Sequence, residues 1–448
     1  MPRPLPPCKR LMALGRLWPV LALAWLAGCS VERFDRAGVD TDDSLYASVY
    51  PLYAEFCALS QIKKIRGFGA EIRGEIGGHA VFYLNGACRD PDTAYPTLRL
   101  CDAIDWTTHE DPPVSGVGLS MNAHFANAKW VAIPGRSFFF AGDLPPGHGL
   151  TRADYAAVQA RAKQLRIYSG ITFHAEVFDD MPAGTTQEDY KYEVSVATDY
   201  AISLGRGRFC AKIPATRPQM IAMIAFLNAQ NAPYRDGREV FNWGLFQDNC
   251  IHLAHNALAV AGLWAEWPIN QSVIRAIFDF PVPKNEFVNI MRRINDPPRL
   301  DLPAMRDDES AARSLAAFGQ LPFRPGTLAD AHPPQRPNEV YETDLKLIFF
   351  DDPVFGHYQG RFDAIFRDPR YFDIARNLDY FAQLYDRSRA DRPSLEAWLA
   401  QARFATPAER QEMTYLYQLF YASVEEQRGA IEADRRRLRT AVARSRSQ

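Results

Sequence analysis

The chain lacks an excess of either charge. Its 51 basic residues nearly balance its 53 acidic residues, and the formal net charge is −2. Proteins that bind nucleic acid carry a basic surface, because they have to neutralise phosphates. The charge balance therefore argues against a nucleic-acid partner.

Long apolar runs are also missing from most of the chain. Beyond residue 28, no segment has the 18 or more unbroken apolar residues that a membrane-spanning helix needs. Internal repeats and low-complexity tracts are absent as well, and the apolar content of 47% is ordinary for a globular protein. We therefore expect a soluble folded body, long enough for two or three domains.

The first 28 residues have the pattern of an export signal. Lys9, Arg10 and Arg16 provide a positively charged start, and the apolar segment 17–26 follows. That segment is about ten residues long, which is too short for a membrane-spanning helix. The sequence predicts that residues 1–28 are removed on export.

The end of this signal is Leu26-Ala27-Gly28-Cys29, which resembles the lipobox of bacterial lipoproteins. The resemblance implies that Cys29 is lipidated and becomes the first residue of the mature chain. The residue after this cysteine is Ser30 and not an aspartate. By the same resemblance, this implies that the protein is carried to the periplasmic face of the outer membrane. The alternative is an ordinary signal peptide cut near Gly28. We expect a cell-envelope protein whose partner is the membrane, held through an N-terminal lipid anchor.

The chain has few cysteines, and it is informative whether their number is odd or even. Cys8 leaves with the signal and Cys29 would carry the lipid, so five cysteines remain, and in an oxidising compartment an even number of them pairs. Cys88 and Cys101 are 13 residues apart and are the first expected pair, and Cys57 with Cys210 is the second. Cys250 is then the odd cysteine and a candidate reactive thiol, although spacing alone does not prove this connectivity.

Hydrophobic periodicity predicts an α+β protein. A tether and an N-terminal helix over 44–61, kinked at Pro51, occupy 29–64. A main domain follows over 65–295, with strands that include 137–141. Segment 296–340 is rich in Pro, Asp and Arg and predicts a linker, and segment 341–448 predicts a mostly helical C-terminal region.

Cys250 stands at the predicted start of a helix. Asp248 and Asn249 are good N-cap residues, and Gly262 is a plausible end. The free N–H groups and the helix dipole favour a thiolate in the first turn. A cysteine in this place is either a nucleophile or a small buried apolar residue.

A cysteine nucleophile needs a base, usually a histidine. His252 and His255 point away from Cys250 around the helix, so packing is the expected role for both, and a metal pair formed by these two histidines finds no third ligand. His79 opens an apolar strand after Gly77 and Gly78 and is the better partner. The alternative for His79 is a structural role, in which the ring nitrogens are hydrogen-bonded within the fold.

The strand Gly78-His79-Ala-Val-Phe-Tyr-Leu-Asn85, followed later by Asp248-Asn249-Cys250, resembles the circularly permuted branch of the NlpC-type papain-fold thiol hydrolases, which includes lecithin:retinol acyltransferase-like proteins. The resemblance implies a papain-like antiparallel sheet packed on helices, with Cys250 as nucleophile and His79 as base. It implies a third polar residue after the His79 strand. We assign His124 to this role, with Asn122 and Asp102 as substitutes.

These residues predict acyl transfer on amide or ester bonds, with the oxyanion met by backbone N–H groups at Asn249 and Cys250. No cofactor or metal is expected. Peptidoglycan peptides are the first expected substrate and lipid acyl groups the second. The alternative is a non-catalytic envelope scaffold, which the aromatic-rich C-terminal helices would suit.

Overall fold

The fold is built around an antiparallel sheet. The computed structural model describes residues 28–33, 42–69, 78–101, 116–244, 247–269, 282–297, 300–343, 346–351, 358–401 and 406–445. The strands within these ranges are β1 Gly28–Arg33, β2 Tyr53–Leu59, β3 His79–Asn85, β4 Ala87–Arg89, β5 Leu98–Leu100, β6 Gly116–Ser120, β7 Val131–Pro134, β8 Arg208–Pro214, β9 Leu328–His332 and β10 Lys346–Asp351.

The helices of the same ranges are α1 Asp43–Val49, α2 Arg136–Ala141, α3 Arg152–Gln164, α4 Gln187–Ser195, α5 Arg217–Arg235, α6 Cys250–Val260, α7 Pro283–Asn295, α8 Leu302–Asp307, α9 Glu309–Phe318, α10 Tyr358–Ile365, α11 Ile374–Ala390, α12 Leu395–Gln401 and α13 Pro407–Ser445. The α+β class predicted from the sequence is thus confirmed at the level of an antiparallel sheet with many helices. Among the described residues, no helix combines the length and apolar character that crossing a membrane requires.

The central sheet joins six of the described strands in the order β7-β6-β3-β2-β8-β9. Every neighbouring pair in it is antiparallel. All seven residues of β2 are buried, because β3 and β8 pair with its two edges and helices cover the sheet. Strand β2 is therefore the middle of the core.

This strand corrects the predicted helix over 44–61. The helix ends at Val49, just before Pro51, and the chain then enters β2 at Tyr53. A proline disfavours helix at the preceding residue, and pairing on both edges overrides the helical spacing of the apolar residues. Residues 137–141, predicted as a strand, belong to α2, which ends at Gly142 in the left-handed conformation.

Helices α6 and α7 bring the second half of the chain onto this sheet. Helix α6 packs on β3 and on α5, whereas α7 packs on β2 and β8. The segment 296–340, predicted as a linker, contributes α8, α9 and strand β9, which pairs with β8 in the central sheet. It is therefore part of the folded body.

The C-terminal helices are attached to this body. Helix α13 packs along α11 and reaches α1 near the start of the fold. Tyr385 of α11 donates to Gln427 of α13 across 2.9 Å, and both side chains are buried. Helix α13 is thus docked on α1 as well as on α11.

The structure places the two predicted cysteine pairs at bonding distance. Cys57 and Cys210 face each other across β2 and β8 with an S–S distance of 2.07 Å, and Cys88 and Cys101 are joined at 1.99 Å. Cys250 belongs to neither disulfide and keeps its thiol. The two disulfides are the pairs that the parity argument predicted, and Cys250 is the described cysteine that lies outside them.

Candidate functional site

The first turn of α6 is capped by its own side chains. Asn249 is the N-cap, and its Oδ1 accepts from the backbone N–H of Ile251 at 2.9 Å and of His252 at 3.2 Å. The backbone N–H of Asn249 donates in return to Nδ1 of His252. Cys250 is consequently the first residue of a well-ordered helix, half-buried, where the positive end of the dipole favours a thiolate.

The loop before Cys250 is held by a buried ion pair. The backbone groups of Gly244 and Asp248 bond to each other in both directions at 3.0 Å. The Asp248 carboxylate lies 2.8 Å from Nζ of Lys129, which also donates to Gln230. Burial raises the pKa of the Asp248 carboxyl, and the Lys129 ammonium opposes that rise. These contacts position the loop that leads into Cys250.

His79 begins β3, the strand on which α6 packs. It follows Gly78, whose φ of 91° is in the left-handed region that favours glycine. The His79 side chain is buried, with 5% of its surface exposed. The fold therefore brings the helix that starts at Cys250 onto the strand that starts at His79. Gly77 lies outside the described residues.

A hydrogen-bonded chain orients the His79 ring. Nε2 of His79 lies 3.3 Å from Oγ of Ser120, at the end of the neighbouring strand β6. Ser120 in turn donates to Oδ1 of Asp199 at 2.7 Å. Since its only hydrogen is used there, Ser120 Oγ accepts from His79 Nε2–H. The neutral ring then has its lone pair on Nδ1, which is the nitrogen able to act as a base.

Asp199 is the buried end of this chain. Its two oxygens accept from Ser120, from Nδ2 of Asn122 at 3.2 Å and from the hydroxyl of Tyr168 at 2.9 Å. The side chain is completely buried. Three donors therefore converge on one buried carboxyl group and fix its position.

The loop that carries Asp199 is strained and tightly held. Ala197 and Ala201 have φ values of 59° and 50°, a region that costs a residue with a side chain roughly 1–2 kcal/mol. The fully buried Arg206 donates to the carbonyl of Ala197 at 2.7 Å and to that of Ser60 at 2.8 Å. Arg206 thus ties the loop to the end of β2.

His124, predicted as the third catalytic residue, lies in the same region of the chain. Its ring packs 5.9 Å from that of Phe173, and its carbonyl accepts from the backbone of His174. Its own N–H donates to Asn122, which reaches Asp199. The catalytic role of His124 stays a prediction, as does that of Asp102, which falls outside the described residues.

Sequence reasoning missed Ser120 and Asp199. Ser120 is a polar residue that follows the His79 strand in the chain and ends β6, so the expected third polar residue was a signal that could have pointed to it. Asp199 offered none, since it lies in a loop and 79 residues separate it from Ser120.

His252 and His255 have the packing roles that we expect from their helical positions. Burial lowers the pKa of His252 to about 4, so the ring is neutral and serves as part of the helix cap. The His255 ring is stacked between Trp264 and Trp267, at 4.3 and 3.8 Å. Its two nitrogens contact Glu286 at 2.8 Å and the carbonyl of Ala265 at 3.1 Å.

One group of possible metal ligands occurs in the described part of the chain, namely Glu55, Cys57 and Cys210. The two sulfurs are joined in a disulfide, whereas a metal needs thiolates. This group therefore holds no metal in the oxidised protein.

Cys29, the predicted lipidation site, lies in β1. Its backbone pairs with Phe350 of β10, in a two-stranded sheet separate from the central one. The lipid anchor stays a prediction.

Comparison with known proteins found no matching family model, curated protein or solved structure. The interpretation of the site consequently rests on its own chemistry.

Proposed function

We propose that this protein is a cysteine hydrolase or acyltransferase of the cell envelope that acts on amide or ester bonds. The observation that carries the proposal is the packing of α6, which starts at Cys250, on β3, which starts at His79. The bond from His79 to Ser120 and Asp199 supports it, because it leaves Nδ1 as the basic nitrogen. The order of His before Cys and the helix-on-sheet packing agree with a permuted papain-like arrangement.

In this mechanism Nδ1 of His79 takes the proton of the Cys250 thiol. The imidazolium that forms is stabilised through Ser120 by the Asp199 carboxylate. The thiolate attacks the carbonyl carbon, and the backbone N–H of Cys250 meets the oxyanion, an interaction worth roughly 3 kcal/mol. The N–H of Asn249, predicted for the same role, instead donates to Nδ1 of His252.

The tetrahedral intermediate then collapses and the bond to the leaving amine or alcohol breaks. His79 returns its proton to that leaving group, and Cys250 keeps the acyl group as a thioester. Water, or a second alcohol or amine, attacks the thioester with His79 again as the base. The products are the acid or the transferred acyl compound, and the free thiol is restored.

Peptidoglycan stem peptides are the proposed substrate, because they offer amide bonds within reach of a lipid-anchored envelope protein. A lipid acyl group is the second candidate. Two exposed apolar side chains favour it, Val240 at 62% and Trp243 at 36% exposure, which lie in the loop leading to Cys250. Such side chains suit contact with an acyl chain.

A first experiment measures alkylation of the native protein by iodoacetamide, followed by mass spectrometry. We expect rapid modification of Cys250 alone and intact disulfides at the other pairs. A Cys250 that is inert in the folded protein, or bonded to another cysteine, would refute the nucleophile.

A second experiment separates the substrate classes. Wild type and Cys250→Ala are incubated with a muropeptide panel and with a phospholipid panel, and products are identified by mass spectrometry. Turnover of one panel by wild type alone identifies the class. A scaffold would turn over neither panel, and the substitution would then leave every property of the protein unchanged.

A further inference from the structure

A charged cavity lies beside α7 and α10. A cavity of about 330 Å³ opens there, and its lining mixes guanidinium groups with carboxylates: Arg292, Arg361, Arg370, Asp296 and Asp368. The lining has one more positive charge than negative. The proposed cysteine chemistry uses none of these residues.

Arg370 occupies both aspartates of the cavity. Its Nε donates to Asp368 at 2.8 Å, and its Nη2 donates to Asp296. The hydroxyl of Tyr371 also donates to Asp296, at 2.6 Å. Arg370 and the two aspartates together carry one net negative charge, which balances only one of the other two arginines and leaves one positive charge over.

Arg292 and Arg361 are the remaining cations. Within the part of the chain that the structure describes, neither guanidinium forms an ion pair with a carboxylate. Arg361 lies 5.5 Å from the ring centre of Tyr358. Burial raises the pKa of Tyr358, and so does the charge of Glu286, whereas a hydrogen bond with Asn289 and the charges of Arg361 and Arg292 oppose that rise. Both guanidinium groups therefore lie near this ring as well as in the cavity lining.

We propose that this cavity binds a phosphate group between Arg292 and Arg361. A guanidinium is charged at every physiological pH and offers paired N–H donors that match phosphate oxygens. Two such groups at one cavity neutralise a phosphate more completely than one. In the envelope the bound group is either inorganic phosphate or the phosphate of a phospholipid headgroup. Both present the same kind of oxygen atoms to the two arginines.

The test titrates inorganic phosphate into the full chain, purified in a neutral detergent at low ionic strength, and follows binding by calorimetry. We expect Arg292→Gln and Arg361→Gln each to weaken binding by about 10-fold, and the double variant to abolish it. Arg367→Gln is the matched control, since Arg367 follows α10, is 76% exposed and lies outside the cavity lining.

The same titration with dihexanoyl phosphatidic acid distinguishes the sources. Tighter binding than inorganic phosphate, with the same loss in the double variant, identifies a lipid headgroup, whereas equal affinity identifies free phosphate. The proposal is overturned if wild type binds no phosphate up to about 10 mM, or if the double variant binds it as tightly as Arg367→Gln. Turnover by Cys250 is unaffected in either case, so this result does not depend on the proposed enzyme activity.

Discussion

Ser120 donates its hydroxyl hydrogen to Asp199 across 2.7 Å, and this bond decides which nitrogen of His79 carries the proton. The Ser120 hydroxyl lies between the histidine and the carboxyl group, so Asp199 orients the ring through it. The arrangement gives Asp199 a positioning role that can be tested without knowing the substrate.

Asp199→Asn should slow Cys250 alkylation by about 100-fold near neutral pH. The amide can donate to Ser120, which removes the reason for the proton on Nε2 and the charge that stabilises the imidazolium. The measurement is the rate of iodoacetamide reaction from pH 5 to 10, and we expect the midpoint of the profile to move to higher pH.

The control for this substitution is Asp179→Asn, which changes an exposed aspartate in the same way. It should leave the alkylation profile unaltered. An Asp199→Asn protein that folds normally and keeps the wild-type profile would remove Asp199 from the mechanism.

Asn249→Ala should destabilise the protein by about 1 kcal/mol, because two first-turn N–H groups lose their acceptor. It should also slow alkylation of Cys250, since the start of the helix loosens around the thiolate. Unfolding in urea and the alkylation rate are measured together.

Thr151→Ala provides the comparison for this cap. Thr151 caps α3 with the same kind of bond, to the N–H of Asp154, so its loss should destabilise the protein similarly. It should not change the reactivity of Cys250. If alkylation of Cys250 slowed equally in both variants, global stability and not the local cap would control the reactivity of the thiol.

His252 should make the protein less stable in acid. Its folded pKa of about 4 lies below the ordinary value of 6.5, so the unfolded chain binds the extra proton first. Stability is therefore fully present above pH 6.5 and is lost as the pH falls towards 4, by up to about 3 kcal/mol. The free energy of unfolding is measured at pH 7.0 and 4.5.

His252→Gln isolates this contribution, because glutamine does not titrate over the range and can still accept from the cap. We expect a smaller difference in stability between the two pH values for the variant than for wild type. Identical differences would assign the acid sensitivity to other buried groups.

Removal of the Cys57–Cys210 disulfide should cost more stability than removal of Cys88–Cys101. The first pair spans 153 residues and the second 13, and longer closed loops constrain the unfolded chain more. Loop-closure entropy predicts about 5 and about 3 kcal/mol. The double-alanine variants are compared by urea unfolding under oxidising conditions, and equal or reversed losses would contradict this account.

Part of the fold follows from features that lie close together in the chain. The cap at Asn249, the helix that begins at Cys250 and the buried strand from His79 depend on local spacing and capping chemistry. The choice of Cys250 as the odd thiol depends on parity. These are properties of short segments or of counting, so they are available before any tertiary contact is known.

Other elements depended on contacts across the fold. The segment 44–61 has helical spacing, yet residues 53–59 of it form β2, because β3 and β8 pair with both of its edges. The segment 296–340 has the composition of a linker, yet it completes the sheet with β9. In both places pairing with distant strands outweighs local preference.

In the candidate site, too, some features follow from the local sequence and others from tertiary contacts. Its cysteine and histidine are marked in the sequence by a helix start and a strand start. The orientation of the histidine is a tertiary property, because Asp199 reaches Ser120 only through the strained loop that Arg206 ties down. Local patterns predict a thiol and a base, whereas the packing of a remote loop orients the ring of the predicted base.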